Sequence, residues 1–380
     1  MGTTEIRVHG VADRGPEAML DRPIVSRVAG DRDAGFYRVR TGFGDPCGAS
    51  GATLEGYRWS GLTGGTASRT FSLVALLPFM LANIAIWMLP PGHRTGRAGK
   101  ALCRLLAATL TAMYTLAIAG VALDLVAWQC AEYPRCLEGR REISWLGGLA
   151  PGQRLALLAV LPILAVALLW WLSGRTWQLP EDAGAAAPRL GADRLDTPAF
   201  WDNRALLLRL RSLHVAIGLA TLDLTLLLTL APHDRGFPGY ALLAASAGLL
   251  AAALTLLCLP QLEQHGGVLW TRRAVRLLHL GTITLTGLTL GYAAAPRAPW
   301  TAVGGLPGYD VLVAVLFAAQ MGLLLALTAL VLARQPVRGR SVLLGLAAPL
   351  VVSLAIGLTV CYDSGLSYGV AEYLDRGSSP

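Results

Sequence analysis

The sequence predicts an α-helical polytopic membrane protein with about eight transmembrane helices, including tandem helical hairpins, and a small N-terminal α/β segment. Only 15% of the 380 residues are charged, whereas soluble globular proteins average about 25%. Long runs of Leu, Ala and Val recur along the chain, and one pair of motifs occurs twice. We therefore expect residues 1–69 to form the α/β segment, residues 70–361 the transmembrane helical domain, and residues 362–380 a short polar C-terminal tail.

The N-terminal segment combines strand and helix patterns. The stretches EIRVH at 5–9 and AGFYRVR at 34–40 favour strands, and GPEAML at 15–20 places a proline in the first turn of a helix. The aromatic and glycine-rich stretch YRWSGLTGG at 57–65 is expected to lead the chain onto the membrane. Because residues 1–69 contain no apolar core of a signal peptide, none is predicted.

Eight stretches are long and apolar enough for transmembrane helices, which need about 20 mostly apolar residues. They are 71–90, 101–128, 154–173, 209–230, 240–260, 275–294, 309–333 and 341–361. Pro78, Pro162 and Pro349 lie inside three of them and should kink or interrupt the helix. An alternative interpretation makes the first stretch a re-entrant or interfacial segment.

The charges of the loops predict an orientation. The loops after the first, third, fifth and seventh spans are rich in arginine, so the positive-inside rule places them in the cytoplasm. With eight spans, both termini and the loop between Cys130 and Cys136 lie outside, where a disulfide between these cysteines can form. If 71–90 does not span, the N-terminus lies inside.

Composition also limits the partners and cofactors. The loop arginines account for the net charge of +8, so no nucleic-acid partner is predicted. Lys100 is the only lysine, and the abundance of Arg, Ala, Gly and Leu is typical of a high-GC bacterial genome, which predicts the bacterial plasma membrane as the location. The expected partner is the lipid bilayer, and another membrane or envelope protein is an additional candidate. No Cys/His cluster has zinc spacing, so neither a metal nor a cofactor is expected.

A two-helix unit occurs twice. RSLH at 211–214 is followed by GFPGY at 236–240, and RLLH at 276–279 is followed by GLPGY at 305–309. Each unit thus holds a span, a turn and a second span, which predicts parallel hairpins of a kind found in transporters and in other membrane domains. The turn tyrosines are expected in the interfacial aromatic belt.

Polar residues inside the predicted spans are the candidates for function. His214 and His279 lie one turn inside the membrane at equal depth, where they could ligate one haem or hydrogen-bond to neighbouring residues. Asp124 and Asp223 are ionisable residues within spans, which are costly there and mark functional sites. Asp223 could bind a proton or cation, or pair with an arginine or a threonine hydroxyl in a static bundle.

Short N-terminal stretches resemble known proteins. VHGV at 8–11, a strand that ends in His-Gly, resembles the oxyanion-hole strand of the α/β-hydrolase fold, which implies backbone N–H groups that bind an oxyanion. IRVHGV at 6–11, GDRDAGFYR at 30–38 and YRWSGLTGG at 57–65, followed by a polytopic region, resemble uncharacterised actinobacterial multi-pass integral membrane proteins. That second resemblance implies no activity.

A hydrolase would need a nucleophile, an acid and a histidine in that chain order. Ser367 lies in the G-x-S-x-G match GLSYG at 365–369, but no histidine follows it and His9 precedes it. His9 and Ser367 are thus an incomplete catalytic set. The sequence therefore favours a structural, anchoring or interaction role without a catalytic site. A small-solute or ion transporter that uses the hairpin repeat and Asp223 is the alternative, and a membrane serine hydrolase is the second alternative.

Overall fold

The computed structural model of the protein describes thirteen stretches of the chain. They are 4–9, 15–30, 35–40, 42–44, 47, 51–58, 67–89, 93–175, 204–234, 236–263, 269–297, 300–333 and 346–376. The fold divides into two units, one of residues 1–75 and 172–207 and one of residues 76–171 and 208–380.

The first unit contains a four-stranded sheet. Its elements are β1 (Thr4–His9), helix α1 (Pro16–Leu20), β2 (Val25–Gly30), β3 (Gly35–Val39) and β4 (Thr53–Arg58). The strand order is β1-β4-β3-β2, in which β1 pairs parallel with β4 and the other pairs are antiparallel. The two predicted strands and the predicted helix are therefore confirmed.

The sequence patterns do not predict strands β2 and β4. For β4, the weak strand signal has a physical reason. Its interior residue Gly56 weakens the strand signal, because glycine has no side chain to pack. In the fold, a Cβ atom at Gly56 would overlap the Met19 side chain of α1 and crowd Leu20. Gly56 thus lets α1 lie directly on the central strands, which a local pattern does not reveal.

The remaining described helices follow in chain order. They are α2 (Ala67–Trp87), α3 (His93–Ala119), a π-helical extension of α3 (Gly120–Gln129), a 3₁₀ turn (Cys130–Glu132), α4 (Pro134–Leu137), a 3₁₀ turn (Ser144–Gly148), α5 (Pro151–Leu158), α6 (Val160–Arg175), α7 (Arg204–Leu230), a 3₁₀ turn (Ala231–His233), α8 (Phe237–Cys258), a 3₁₀ turn (Pro260–Glu263), α9 (Leu269–Ala294), α10 (Tyr309–Leu332) and α11 (Ala347–Asp375).

Among the described residues, seven helices are long and apolar enough to cross a membrane, against the eight spans that the sequence predicts. They are 96–132, 151–173, 206–233, 237–258, 269–294, 309–332 and 347–375. The predicted first span corresponds to α2, of which Val74–Trp87 is a shorter apolar helix. This is the segment for which the sequence leaves a spanning and an interfacial interpretation open.

Two helices form the centre of the helical unit. The apolar part of α3 and its extension is 67% buried and that of α7 is 78% buried, whereas the other five candidate spans are 11–33% buried. Gly218 on α7 lets these two helices approach closely, since a Cβ atom there would lie 3.2 Å from the Thr115 hydroxyl of α3. The two aspartates singled out by the sequence, Asp124 and Asp223, lie on these two central helices.

Two predictions about helix bounds meet different outcomes. Pro162 was expected to interrupt its span, and the helix does break at Ala159, between α5 and α6. Pro162 has no backbone N–H, so the carbonyl four residues earlier loses its helical hydrogen bond. That carbonyl belongs to Leu158, the last residue of α5. By contrast, the polar tail expected from residue 362 is helical through Asp375, because α11 continues without a break.

Candidate functional site

Asp223 lies at the centre of the helical unit on α7. Its side chain is fully buried, and its Oδ2 accepts a hydrogen bond of 2.9 Å from the hydroxyl of Thr286 on α9. Oδ1 is buried without a hydrogen-bond partner. The nearby hydroxyls of Thr221 and Thr225 donate to carbonyls one turn earlier on their own helix, at 2.8 and 2.9 Å. The contact with Thr286 matches the static pairing, while the unpartnered Oδ1 keeps the capacity to take a proton or a cation.

Asp124 lies in the π-helical extension of α3 and holds a turn of the backbone. Its Oδ1 accepts a hydrogen bond of 2.7 Å from the backbone N–H of Leu306 and one of 3.0 Å from Nε2 of Gln129. Leu306 belongs to the GLPGY turn before α10. The Asp124 carboxylate is therefore engaged in hydrogen bonds within the protein, and in this geometry it positions the GLPGY turn.

The second repeated turn is also held by two further contacts. The Thr229 hydroxyl donates to the carbonyl of Pro307 at 3.0 Å, and the Tyr309 hydroxyl donates to the carbonyl of Leu116 at 3.0 Å. Gly120 makes room for this ring, because a Cβ atom there would overlap the Tyr309 hydroxyl. Tyr309 is thus packed against α3, and its place in an aromatic belt stays a prediction. Its counterpart Tyr240 is 52% exposed, as a belt residue would be.

The first repeated turn is bordered by a different cluster. Asp234, two residues before GFPGY, accepts a hydrogen bond of 3.1 Å from Nε of Arg297 and one from the Tyr292 hydroxyl. The Arg297 guanidinium lies 4.5 Å from the centre of the Tyr292 ring. Gly239 makes room for the Tyr292 hydroxyl, since a Cβ atom there would overlap it. These contacts join the end of α7 to the end of α9.

The two repeated histidines have unequal surroundings. Nδ1 of His214 lies 2.6 Å from the Thr111 hydroxyl of α3, and Phe79 packs edge-on against the imidazole at 6.2 Å. Nδ1 of His279 is buried without a hydrogen-bond partner. Within the described residues, no hydrogen bond or ring contact joins the two imidazoles. The contacts of His214 match the interpretation as a hydrogen-bonded residue, and a shared haem stays a prediction.

The two candidate catalytic residues lie in different units. Ser367 lies inside the continuous helix α11, whereas a nucleophile elbow requires a turn between a strand and a helix. GLSYG is therefore not an elbow in this fold. His9 is the last residue of β1, and its side chain lies outside the described residues.

The structure joins Cys130 and Cys136 by a disulfide bond, the pairing that the sequence suggests. The nearby Arg140 is buried and donates hydrogen bonds to the carbonyls of Cys136, Tyr373 and Leu374. A guanidinium at a helix C-terminus neutralises the unpaired carbonyls there. Arg140 therefore ties the end of α11 to the disulfide loop, so both lie at one end of the helical unit, as the predicted topology requires for the C-terminus.

Sequence reasoning misses Arg140 and Asp363. Asp363 is half-buried on α11, within electrostatic range of Tyr114 and Tyr309, but it falls in the segment predicted as a tail. A signal for the longer helix is present in the sequence, since small residues recur every four positions across the predicted boundary. They are Ser353, Gly357, Cys361, Gly365 and Gly369. Both glycines of GLSYG belong to this period.

Comparison with protein-family models, with curated protein sequences and with solved structures finds no match to the chain. The site must therefore be judged on its own geometry. In the part of the chain that the structure describes, no group of three or more His, Cys, Asp or Glu side chains could hold a metal ion. Asp124 and Asp223 each join two elements of the helical unit through a hydrogen bond.

Proposed function

We propose that the chain is a multi-pass protein of the bacterial cell membrane that anchors a docking surface, its N-terminal sheet, for another envelope protein. Seven helices of spanning length and composition support the membrane location, and the arginine-rich loops support a cytoplasmic position for the ends at which α3, α7 and α9 begin. The observation that carries the docking role is the exposed apolar face of β1.

Helix α1 covers one face of the sheet, and on the other face two described side chains of β1 are exposed. Arg7 points to the covered face, where its guanidinium donates to the carbonyl of Met19 on α1 at 3.3 Å. Ile6 and Val8 alternate with Arg7 and so point to the opposite face. They are 37% and 63% exposed. Two exposed aliphatic side chains that are two positions apart on a strand form an apolar stripe that a partner can bury.

Aromatic residues extend this stripe across the sheet. Val8 is paired with Tyr57 on β4, and Tyr57 is paired with Phe36 on β3, so the three side chains share a face. The Phe36 and Tyr57 rings lie 4.6 Å apart. Aromatic and aliphatic groups together are typical of the buried centre of protein interfaces.

The edge of the sheet offers backbone groups beside the same stripe. Among the described strands, β1 pairs with β4 alone. An edge strand carries unpaired N–H and C=O groups that can pair with an added strand. Strand addition gives affinity through these groups and specificity through alternate side chains. We therefore assign the docking surface to β1 and its partner to an extended segment of another protein.

The helical unit supports the anchoring half of the proposal. Asp223 pairs with a threonine of a neighbouring helix, and Asp124 pairs with the backbone of a turn. Both aspartates thus join elements of one bundle. Pairing between helices is the arrangement expected of a static anchor.

Photo-crosslinking in cells tests the docking surface. The photoreactive residue p-benzoylphenylalanine replaces Val8 in one variant and Ala18 in the control; Ala18 is exposed on α1. We expect an adduct with a partner of distinct mass from position 8 only, and its loss when Ile6→Lys is added at an unchanged membrane level of the protein. Absence of an adduct, equal adducts from both positions, or an adduct with a second copy of the chain would contradict the proposal.

A proton or cation transporter is the second candidate, and the unpartnered Oδ1 of Asp223 favours it. A fully buried carboxyl oxygen without a donor is costly in a membrane domain and is often kept for function. Proton and sodium flux into proteoliposomes, compared between the wild type and Asp223→Asn, distinguishes the two functions. Flux that is present in the wild type and lost in the variant would assign transport, whereas equal background leakage favours the anchor.

A further inference from the structure

An apolar groove lies between the C-terminal half of α8 and the N-terminal half of α9. It has a volume of about 480 Å³. Its walls are lined chiefly by Leu249, Ala252 and Leu256 on α8 and by Ala274, Leu277 and Leu278 on α9. Thr255 also borders the groove, but its hydroxyl donates to the carbonyl of Ala251 at 2.8 Å. The lining of the groove is therefore mostly apolar, as the environment of a hydrocarbon chain must be.

The mouth of this groove is cationic. Arg272, Arg273 and Arg276 are exposed on the first two turns of α9. As far as the structure describes the chain, these three guanidinium groups make no hydrogen bond or ion pair. Arg272 is also within electrostatic range of Arg209 on α7. Arg209 donates to the carbonyl of Leu262 at 2.6 Å, and Arg272 lies on the side of α9 away from Ala274 and Leu277. Arg273 is the exposed guanidinium beside the groove, where it favours a negative counter-charge.

Helical spacing aligns the mouth with the groove. Arg273 precedes Leu277 by four residues, and Trp270 precedes Ala274 by four residues, so each pair lies on one side of α9. Trp270 is 46% exposed, and tryptophan favours the level of the lipid headgroups. Read along α9, the wall therefore passes from a tryptophan and an arginine to aliphatic side chains, which is the order from headgroup to acyl chain in a lipid.

We propose that this groove binds an anionic phospholipid, with one acyl chain between α8 and α9 and the phosphate at Arg273. Guanidinium groups bind phosphate through paired hydrogen bonds, and basic sites between membrane helices recognise anionic headgroups. The charge at the mouth selects an anionic lipid over a zwitterionic one, and the groove selects a lipid over a free phosphate. The proposal concerns a different surface from the sheet and does not depend on the docking role.

Quenching of Trp270 by brominated lipids tests the site in the full-length protein. The protein is placed in phosphatidylcholine nanodiscs that contain increasing fractions of a lipid with brominated acyl chains, either phosphatidylglycerol or phosphatidylcholine. The fluorescence of the Trp270→Phe variant is subtracted from that of the wild type, which leaves the signal of Trp270. We expect phosphatidylglycerol to quench Trp270 at a lower mole fraction. Arg273→Gln should weaken this preference about fivefold. The control Arg97→Gln, at an exposed arginine on α3, should leave it unchanged.

Further variants separate the acyl chain from the headgroup. Ala252→Phe fills the groove and should reduce quenching by phosphatidylglycerol while all arginines remain. Equal quenching by the two lipids, or an undiminished preference in Arg273→Gln, would overturn the anionic site. An unchanged preference in Ala252→Phe would overturn the acyl-chain groove, and so would full displacement by soluble glycerol phosphate.

Discussion

The two repeated hairpins, α7–α8 and α9–α10, share a sequence pattern but not a tertiary role. Each carries R-x-L-H on its first helix, and each second helix begins within G-x-P-G-Y. The tyrosine of the second turn, Tyr309, is bound to α3, whereas Tyr240 of the first turn is exposed. The histidines reverse this order, since His214 of the first hairpin is bound to α3 and His279 is not.

This difference shows that the repeated motifs encode local structure, whereas the helices packed against each hairpin decide the role of its motif residues. Proline and glycine start a helix in both turns because they favour the same backbone geometry. Burial then differs, as the apolar part of α7 is 78% buried and that of α9 is 33% buried. The sharpest tests therefore change the same motif position in both hairpins.

The largest difference is expected at the turn tyrosines. Tyr309→Ala removes a packed ring and its hydrogen bond to Leu116, so it should lower the free energy of unfolding by about 3 kcal/mol. Tyr240→Ala changes an exposed side chain and should cost less than about 0.5 kcal/mol. Thermal and denaturant unfolding of the purified protein in detergent measures both. Similar losses in the two variants would mean that the hairpins are equivalent after all.

A smaller effect is expected at the carboxylate that holds the second turn. Asp124→Ala leaves the backbone N–H of Leu306 without its acceptor, which should cost about 2 kcal/mol. The control Asp310→Ala removes an exposed aspartate from the first turn of α10 and should cost about 0.5 kcal/mol through the helix dipole. Denaturant unfolding in detergent compares the two. A loss at Asp310 as large as that at Asp124 would refute the anchoring role of Asp124.

Much of the architecture follows from local patterns in the sequence. The apolar runs predict the helices from α3 onward, and the spacing of RLLH and GLPGY predicts the hairpin α9–α10. Strands β1 and β3 follow from alternation. By contrast, β4 depends on the packing of α1 against Gly56, which is a contact between residues distant in sequence.

The candidate site was less predictable for the same reason. Asp124 and Asp223 stand out because a charged residue interrupts an apolar run. Their partners, the backbone of Leu306 and the hydroxyl of Thr286, are 182 and 63 residues away in sequence. Arg140 could not be recognised, because two of its three carbonyl partners, Tyr373 and Leu374, lie at the end of a helix that the sequence predicts to end near residue 361.

At the repeated histidines we expect opposite signs. His214→Leu removes the hydrogen bond to Thr111 and should cost about 1 kcal/mol. His279→Leu removes a buried nitrogen that has no partner, so stability should stay the same or rise slightly. Unfolding in detergent measures both variants. A larger loss for His279→Leu would show that this imidazole has a role that its contacts do not reveal, and a haem absorption band in the purified wild type would point to what that role is.

The smallest difference is expected at the repeated arginines. The Arg211 guanidinium donates to the carbonyl of Trp170 and lies 4.9 Å from the centre of its ring. Arg211→Gln should therefore cost about 1 kcal/mol, the combined order of an exposed cation–π contact and a hydrogen bond. Arg276 is exposed at the same motif position, so Arg276→Gln should change the free energy of unfolding in lipid-free detergent by less than about 0.5 kcal/mol. If added phosphatidylglycerol stabilises the wild type more than the Arg276→Gln variant, Arg276 acts through lipid. If Arg211→Gln and Arg276→Gln lose equal stability without lipid, the two hairpins do not differ at this position.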